Sequence, residues 1–164
     1  MSGKSAQAFA AALCTGAVGL FLDLYTKKIF FDGMDGEGAA FSFFEGLVRS
    51  TLHQNQGISF NLPIPLWLTF VITGVALGWA VALLLERARA GSLLPSLILG
   101  AFMGGVLGNV FDRITLGFVR DWILLFGMSA INIADLFIAG GVLAWLAYGA
   151  KRGEPSGVLT SASK

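Results

Sequence analysis

The residues able to do chemistry in this chain are few, and their spacing is regular. Asn109 and Asp112 are three apart, and so are Asn132 and Asp135. Residues at i and i+3 share one face of a helix, so each pair offers an amide and a carboxylate on the same side. Arg113 follows Asp112 directly, and Asp121 lies between the two pairs. Further back, Asp23 and Lys27 stand four apart, and Asn55 and Gly57 occupy a turn-rich stretch. Two carboxylates facing one water cannot both ionise easily; one keeps a proton and the other acts as a base. Such a site hydrolyses an amide with no metal and no nucleophilic serine or cysteine. Other chemistries have little to work with. A single cysteine, Cys14, and a single histidine, His53, argue against a His/Cys zinc site. Ser59 has only His53 nearby, which reads as a loop histidine. Cys14 has no base near it and reads as a small residue packed in mid-helix. Asp23 and Lys27 also have a plain reading: an ion pair that anchors a helix end at the membrane interface.

The segments that must position these residues are strongly apolar. Of 164 residues, 55% are hydrophobic and 13% charged, about half the charge of an ordinary soluble domain. Mean hydropathy is +0.76. These values exclude a disordered chain and argue against a soluble enzyme. The net charge of +1 carries no signal for binding nucleic acid. Residues 5–22, 66–85 and 93–111 hold no charge, and 131–150 holds only Asp135. Each run is about long enough to cross a bilayer. The first is too long for a signal-peptide core and passes into Asp23 with no clear cleavage site, so it reads as a retained helix. The spacing predicts spans over 5–27, 66–85, 93–112 and 131–150, in one membrane domain covering 1–152. A short polar tail, 153–164, follows. Gly104, Gly105 and Gly108, like Gly140 and Gly141, read as sites of close helix packing.

Residues 31–64 form the one long extramembrane loop, too polar to span yet rich in phenylalanine. Phe41–Gly46 and Val48–His53 look extended, so a small sheet lying on the membrane surface is expected there. The fold class is therefore an all-α membrane protein: four transmembrane helices with a small extracytoplasmic β-sheet between the first and second. Lys4, Arg87, Arg89, Lys151, Arg152 and Lys164 lie on one side of this topology, against Lys27, Lys28, Arg49, Arg113 and Arg120 on the other. The count is nearly even. The 86–92 loop and Lys151-Arg152 are the cleaner positive-inside signals, which places both termini in the cytoplasm. The unusual polar residues then collect at the extracytoplasmic ends of different helices.

Five blocks in this order resemble the signature of the lipoprotein signal peptidases, the signal peptidase II family. They are Asp23-Leu-Tyr-Thr-Lys27, Asn55-Gln-Gly-Ile-Ser-Phe60, Gly104 to Arg113, Val119-Arg-Asp-Trp-Ile123 and Ile131-Asn-Ile-Ala-Asp135. The resemblance implies an aspartyl endopeptidase of the bacterial inner membrane. It would remove the signal peptide of prolipoproteins, cutting before a cysteine that already carries diacylglycerol. It implies Asp121 and Asp135 as the catalytic pair. Asn55, Gly57, Asn109, Asp112, Arg113 and Asn132 then match residues that hold the pair or contact substrate, and Asp23 and Lys27 match the end of the first helix. No cofactor and no metal are implied. The partners are lipidated precursors and membrane lipids, with a monomer expected. Residue physics alone does not choose Asp121 over Asp112, since both lie near one membrane face.

The chain departs from the family pattern in places. The family loop commonly reads Asn-Thr-Gly-Ala and here reads Asn-Gln-Gly-Ile; Val-Val-Asp-Phe is here Val-Arg-Asp-Trp. Arg120 beside the pair is expected to lower a carboxylate pKa. The stretch from Asp121 to Asp135 is short, its aromatic-rich turn reduced to Leu124–Ala130. A different class of function remains open on residue physics alone: a small transporter or lipid-binding protein using Asp23, Asp112 and Asp135 as a relay.

Overall fold

The computed structural model describes residues 2–33, 41–57 and 65–153. Among the described residues, four helices are long and apolar enough to cross a membrane. They are α1 (Gly3–Thr26), α2 (Leu66–Arg89), α3 (Leu93–Leu116) and α4 (Ile133–Gly153). Ser2 caps α1, its side chain accepting from the Ser5 amide at 3.2 Å. Arg87 and Arg89 occupy the last turn of α2, where cations suit the helix dipole. Gly117, in the left-handed region at φ 81°, ends α3; a side chain there would be strained. Asp112 and Arg113 therefore lie inside the last turns of α3, which runs on past them.

The third helix is the centre of the bundle. Half of its most apolar stretch is buried, against 11% for those of α2 and α4. Glycine makes this possible. A Cβ at Gly100 would collide with the Ala12 carbonyl oxygen, one at Gly104 with that of Gly16, and one at Gly108 with the Asp23 carboxylate. These three glycines, four apart, let α1 lie directly against α3. Gly105 does the same for α4, since a Cβ there would sit 2.6 Å from the Ala134 carbonyl oxygen. Gly141 lies against Phe102, whereas Gly140 has open space around it and packs nothing. The remaining core is small-sided: Ala8, Ala12, Ala80, Leu84, Ala88 and Leu99. Large apolar side chains such as Leu13, Phe21, Val75, Trp79 and Leu143 face outward. That is the natural arrangement when the surroundings are lipid. Cys14 is exposed on this outer surface rather than packed inside.

Past Thr26, α1 continues as a π-helical turn, Lys27–Phe31. The widened turn brings Lys27 inward, fully buried, and lays Phe30 on Trp122 with ring centroids 4.5 Å apart.

The sheet has four antiparallel strands in the order β1 (Ser42–Phe43), β2 (Val48–Asn55), β3 (Val119–Leu125) and β4 (Ser129–Ile131). Only its first two strands come from the loop between α1 and α2. The other two come from the connection between α3 and α4, so the sheet is not confined to the first loop. The reason lies in β2, which pairs β3 from Val48↔Leu125 to Asn55↔Val119 with an irregularity between Ser50 and His53. A two-stranded ribbon is marginal by itself, and β3 supplies the missing neighbour. β3 and β4 join through a tight turn in which Phe126 and Gly127 both have positive φ. That turn keeps the Asp121–Asp135 connection short.

Candidate active site

β3 is buried on both faces from Val119 to Trp122. Side chains alternate along a strand, so Arg120 and Trp122 face the π-helical turn while Val119 and Asp121 face the helix bundle. Asp121 is fully buried. One of its oxygens accepts from Asn132 Nδ2 at 2.6 Å, the other from Asn55 Nδ2 at 2.9 Å. Asp135 lies in the first turn of α4 and lines a cleft between α2, α3 and α4. It accepts from Asn109 Nδ2 at 2.9 Å and from the backbone amide of Asn132 at 3.2 Å. Asn132 closes the frame: its Oδ1 caps the Asp135 amide at 3.0 Å, and its Nδ2 also reaches Asn109 Oδ1 at 3.1 Å. One asparagine thus touches both carboxylates, and each carboxylate has a second amide of its own.

A second set of charges lies behind this frame. Lys27 Nζ is 2.7 Å from Asp23 and 3.1 Å from Asp112, with all three side chains fully buried. It also donates to Asn109 Oδ1 at 3.0 Å. The Asp23–Lys27 ion pair expected at the end of the first helix is present, and it is buried inside the bundle. The other Asp23 oxygen accepts from the Ala134 amide at 2.9 Å, which ties α1 to the start of α4. Asp112 accepts the Arg120 backbone amide at 3.0 Å and the Arg120 guanidinium at 2.8 Å. Arg120 reaches on to Asp32 at 2.7 Å. The expectation that Arg120 would act on the aspartate pair is corrected: strand alternation turns it to the opposite face. Arg113 donates to the Gly57 carbonyl at 2.7 Å, and the Gly57 amide donates to Asn55 Oδ1 at 3.0 Å. The Asn55–Gly57 turn is thereby held against the end of α3.

Every candidate residue named from the sequence is thus brought to one end of the bundle. Ile58, Ser59 and Phe60, the rest of the Asn55 block, lie outside the described residues, as do the acidic stretch 34–40 and the tail from 154. The sequence did not reveal Asp32 as a partner of Arg120, nor Thr69, which lines the cleft from α2. Burial, and secondarily the charge of Asp135, push the Asp121 carboxyl up to about 7, although its bonds to Asn55 and Asn132 act against this. Asp121 therefore binds a proton near neutral pH, with another carboxylate close by.

The family model described as signal peptidase (SPase) II matches residues 15–150. The chain belongs to the signal peptidase II family. Similar proteins agree. A lipoprotein signal peptidase of Syntrophomonas wolfei is 38% identical over 104 residues, which is 62% of this chain and 68% of that protein. One from Ectopseudomonas mendocina is 32% identical over 133 residues, 76% of this chain and 78% of its own length. A bacterial membrane enzyme solved by the in meso method superposes with a TM-score of 0.80 at 22% identity, covering 91% of this chain and 93% of its own. As a signal peptidase II this is a protease, a hydrolase of the bacterial membrane. Membership sets aside the transporter reading.

Proposed function

We propose that the protein removes the signal peptide from diacylglyceryl-modified prolipoproteins, cutting before the lipidated cysteine, with Asp121 and Asp135 as the catalytic pair. The observation that carries this reading is the shared asparagine. Asn132 bonds both carboxylates, its side-chain Nδ2 at 2.6 Å to Asp121 and its backbone amide at 3.2 Å to Asp135, so one residue sets the position of both. The pair would hold one proton. The charged partner takes a proton from a water that attacks the scissile carbonyl, and the protonated partner gives its own to the leaving amine. Asp135 faces the cleft, which suits contact with water and substrate. Asp121, fully buried, suits storage of the proton. Asn55 and Asn109 would keep both carboxylates aimed. Arg113, with Gly57, would shape the entrance. The lipid chains of the substrate would stay in the bilayer beside the open side of the cleft, with the site on the extracytoplasmic side and both termini in the cytoplasm.

The test is cleavage of a diacylglyceryl-modified prolipoprotein by purified protein in detergent. Wild type should cut, and Asp121→Asn and Asp135→Asn should stay folded and inert. Full activity in Asp121→Asn with none in Asp112→Asn would mean the pair is wrongly chosen. Failure of folded wild type to cut the lipidated precursor, while it cuts another membrane peptide, would mean the substrate class is wrong.

A further inference from the structure

The cleft beside Asp135 encloses about 260 Å³. One of its walls is the first turns of α2, where Thr69 is 2% exposed. The Thr69 hydroxyl is buried and without a hydrogen-bond partner among the described residues. Three other helical threonines show the usual arrangement. Thr15, Thr26 and Thr115 each bond the carbonyl four residues back, at 2.9, 2.8 and 2.8 Å. For Thr69 that carbonyl belongs to Pro65, which already accepts the Leu68 amide at 2.9 Å and the Thr69 amide at 3.2 Å. A carbonyl oxygen has two lone pairs, so the usual partner is taken. Arg113, which lines the same cleft, also leaves its Nε without a partner among the described residues. A buried polar group with no partner costs stability, so its persistence calls for an explanation.

The chemistry of the substrate supplies one. A membrane-spanning signal peptide satisfies its peptide groups within its own helix. Its scissile carbonyl becomes open to attack only where that helix unwinds. Unwinding frees neighbouring N–H and C=O groups in a cleft walled by Ile72, Val106 and Ile138, and such groups need partners. We propose that Thr69 is a substrate-binding residue whose hydroxyl bonds a backbone amide group of the precursor in this unwound segment. A helical threonine has two χ1 rotamers open to it, so the buried hydroxyl would meet the substrate by turning from one to the other without moving its helix. The proposal rests on the peptidase reading of the cleft.

Thr69→Val, close in shape, and Thr69→Ser, which keeps the hydroxyl, test it. The substrate is a synthetic signal-peptide segment with a diacylglyceryl-cysteine. Thr69→Val should melt at a higher temperature than wild type in the same detergent, because an unmet buried hydroxyl is gone. Its kcat/KM should fall about three- to tenfold, the worth of one neutral hydrogen bond. The loss should lie in KM, since the unwound segment is seated before the chemistry. Thr69→Ser should cleave like wild type. A lower melting temperature in Thr69→Val would overturn the proposal, because the hydroxyl would then be structural. So would a higher melting temperature with unchanged kcat/KM, because the hydroxyl would then touch nothing in the substrate. If wild type fails to cleave, the peptidase reading itself falls, and that result is visible before any variant is compared.

Discussion

Four buried or half-buried carboxylates share one end of the bundle, and two kinds of partner divide them. Asp23 and Asp112 are met by cations, with Lys27 at 2.7 and 3.1 Å and Arg120 at 2.8 Å from Asp112. Asp121 and Asp135 are met by amides, from Asn55, Asn109 and Asn132, at 2.6 to 3.2 Å. The difference matches the roles proposed for the two sets. A cation in contact holds a carboxylate in place and favours its charged form. An amide fixes the place and leaves the charge free to change. The first set suits holding helices together, and the second suits moving a proton. The largest effect expected from this division is on catalysis. Asp121→Asn and Asp135→Asn should each lower cleavage of a lipidated precursor by about a thousandfold or more, as loss of general acid–base chemistry does. Both should stay folded and melt near wild type, since removal of a buried charge offsets the loss of one acceptor for the surrounding amide donors.

The cation-held set should break the other way. Asp112→Asn leaves Lys27 with Asp23 and Arg120 with Asp32 as their remaining carboxylates. Stripping a buried charge of its partner altogether costs about 3–5 kcal/mol, and the loss here falls below that because each cation keeps one partner. A fall in melting temperature is expected, with cleavage reduced but measurable in the fraction that stays folded. If Asp112→Asn melted like wild type and were inert, Asp112 would belong with the catalytic pair.

The division between these sets was legible in the sequence only as a plausibility, that Lys27 or Arg113 would hold Asp112 and leave Asp121 to titrate with Asp135, although most of the fold was readable. Four uncharged or nearly uncharged runs suffice to find four spanning helices, because a bilayer demands length and apolarity and little else. The same fact hides which face of each helix is inside. Lipid is as apolar as a core, so Cys14 and Gly140 read as packed while both face outward or open space. The glycines against α1 were legible as packing sites, but their partners were not. Asp112 and Asp121 looked alike because both flank one connection. What separates them is a strand, β3, whose pairing to β2 is a long-range event with no local signature. Once Val119–Leu125 is known to be a strand, alternation alone sends Arg120 toward Asp112 and Asp121 toward Asp135.

The titration of Asp121 gives a smaller effect with a definite sign. Its carboxyl is raised to about 7, chiefly by burial, and in the proposed mechanism it carries the proton for the acid step. Cleavage should therefore fall as pH rises through about 7, with apparent values that belong to the coupled pair. Stability should move in the same direction. Between the ordinary carboxylate range and about 7, the folded protein binds more protons at Asp121 than the unfolded chain does. Its contribution is then full at the acid end and lost as pH rises through that window. Asp121→Asn removes the dependence. Its melting temperature relative to wild type should thus be higher at pH 8 than at pH 4. A constant difference across that range would mean that Asp121 is not the group that titrates.

The smallest effect separates the two faces of β3. The Asn55 amide, 2.9 Å from Asp121, favours the charged carboxylate and so holds its pKa down. Asn55→Ala should move the alkaline fall of kcat/KM to higher pH, by less than about one unit, the reach of one hydrogen bond. Arg120→Val is the matching change on the opposite face. It should lower the melting temperature, since Asp112 and Asp32 both lose a guanidinium contact, and leave the alkaline fall where it is. The informative quantity is the position of that fall along the pH axis, because overall activity drops whenever a variant loosens the site. A shift in Arg120→Val as large as that in Asn55→Ala would show that charge on the far face of the strand reaches the pair. The cation-held and amide-held carboxylates would then have to be treated as one electrostatic unit.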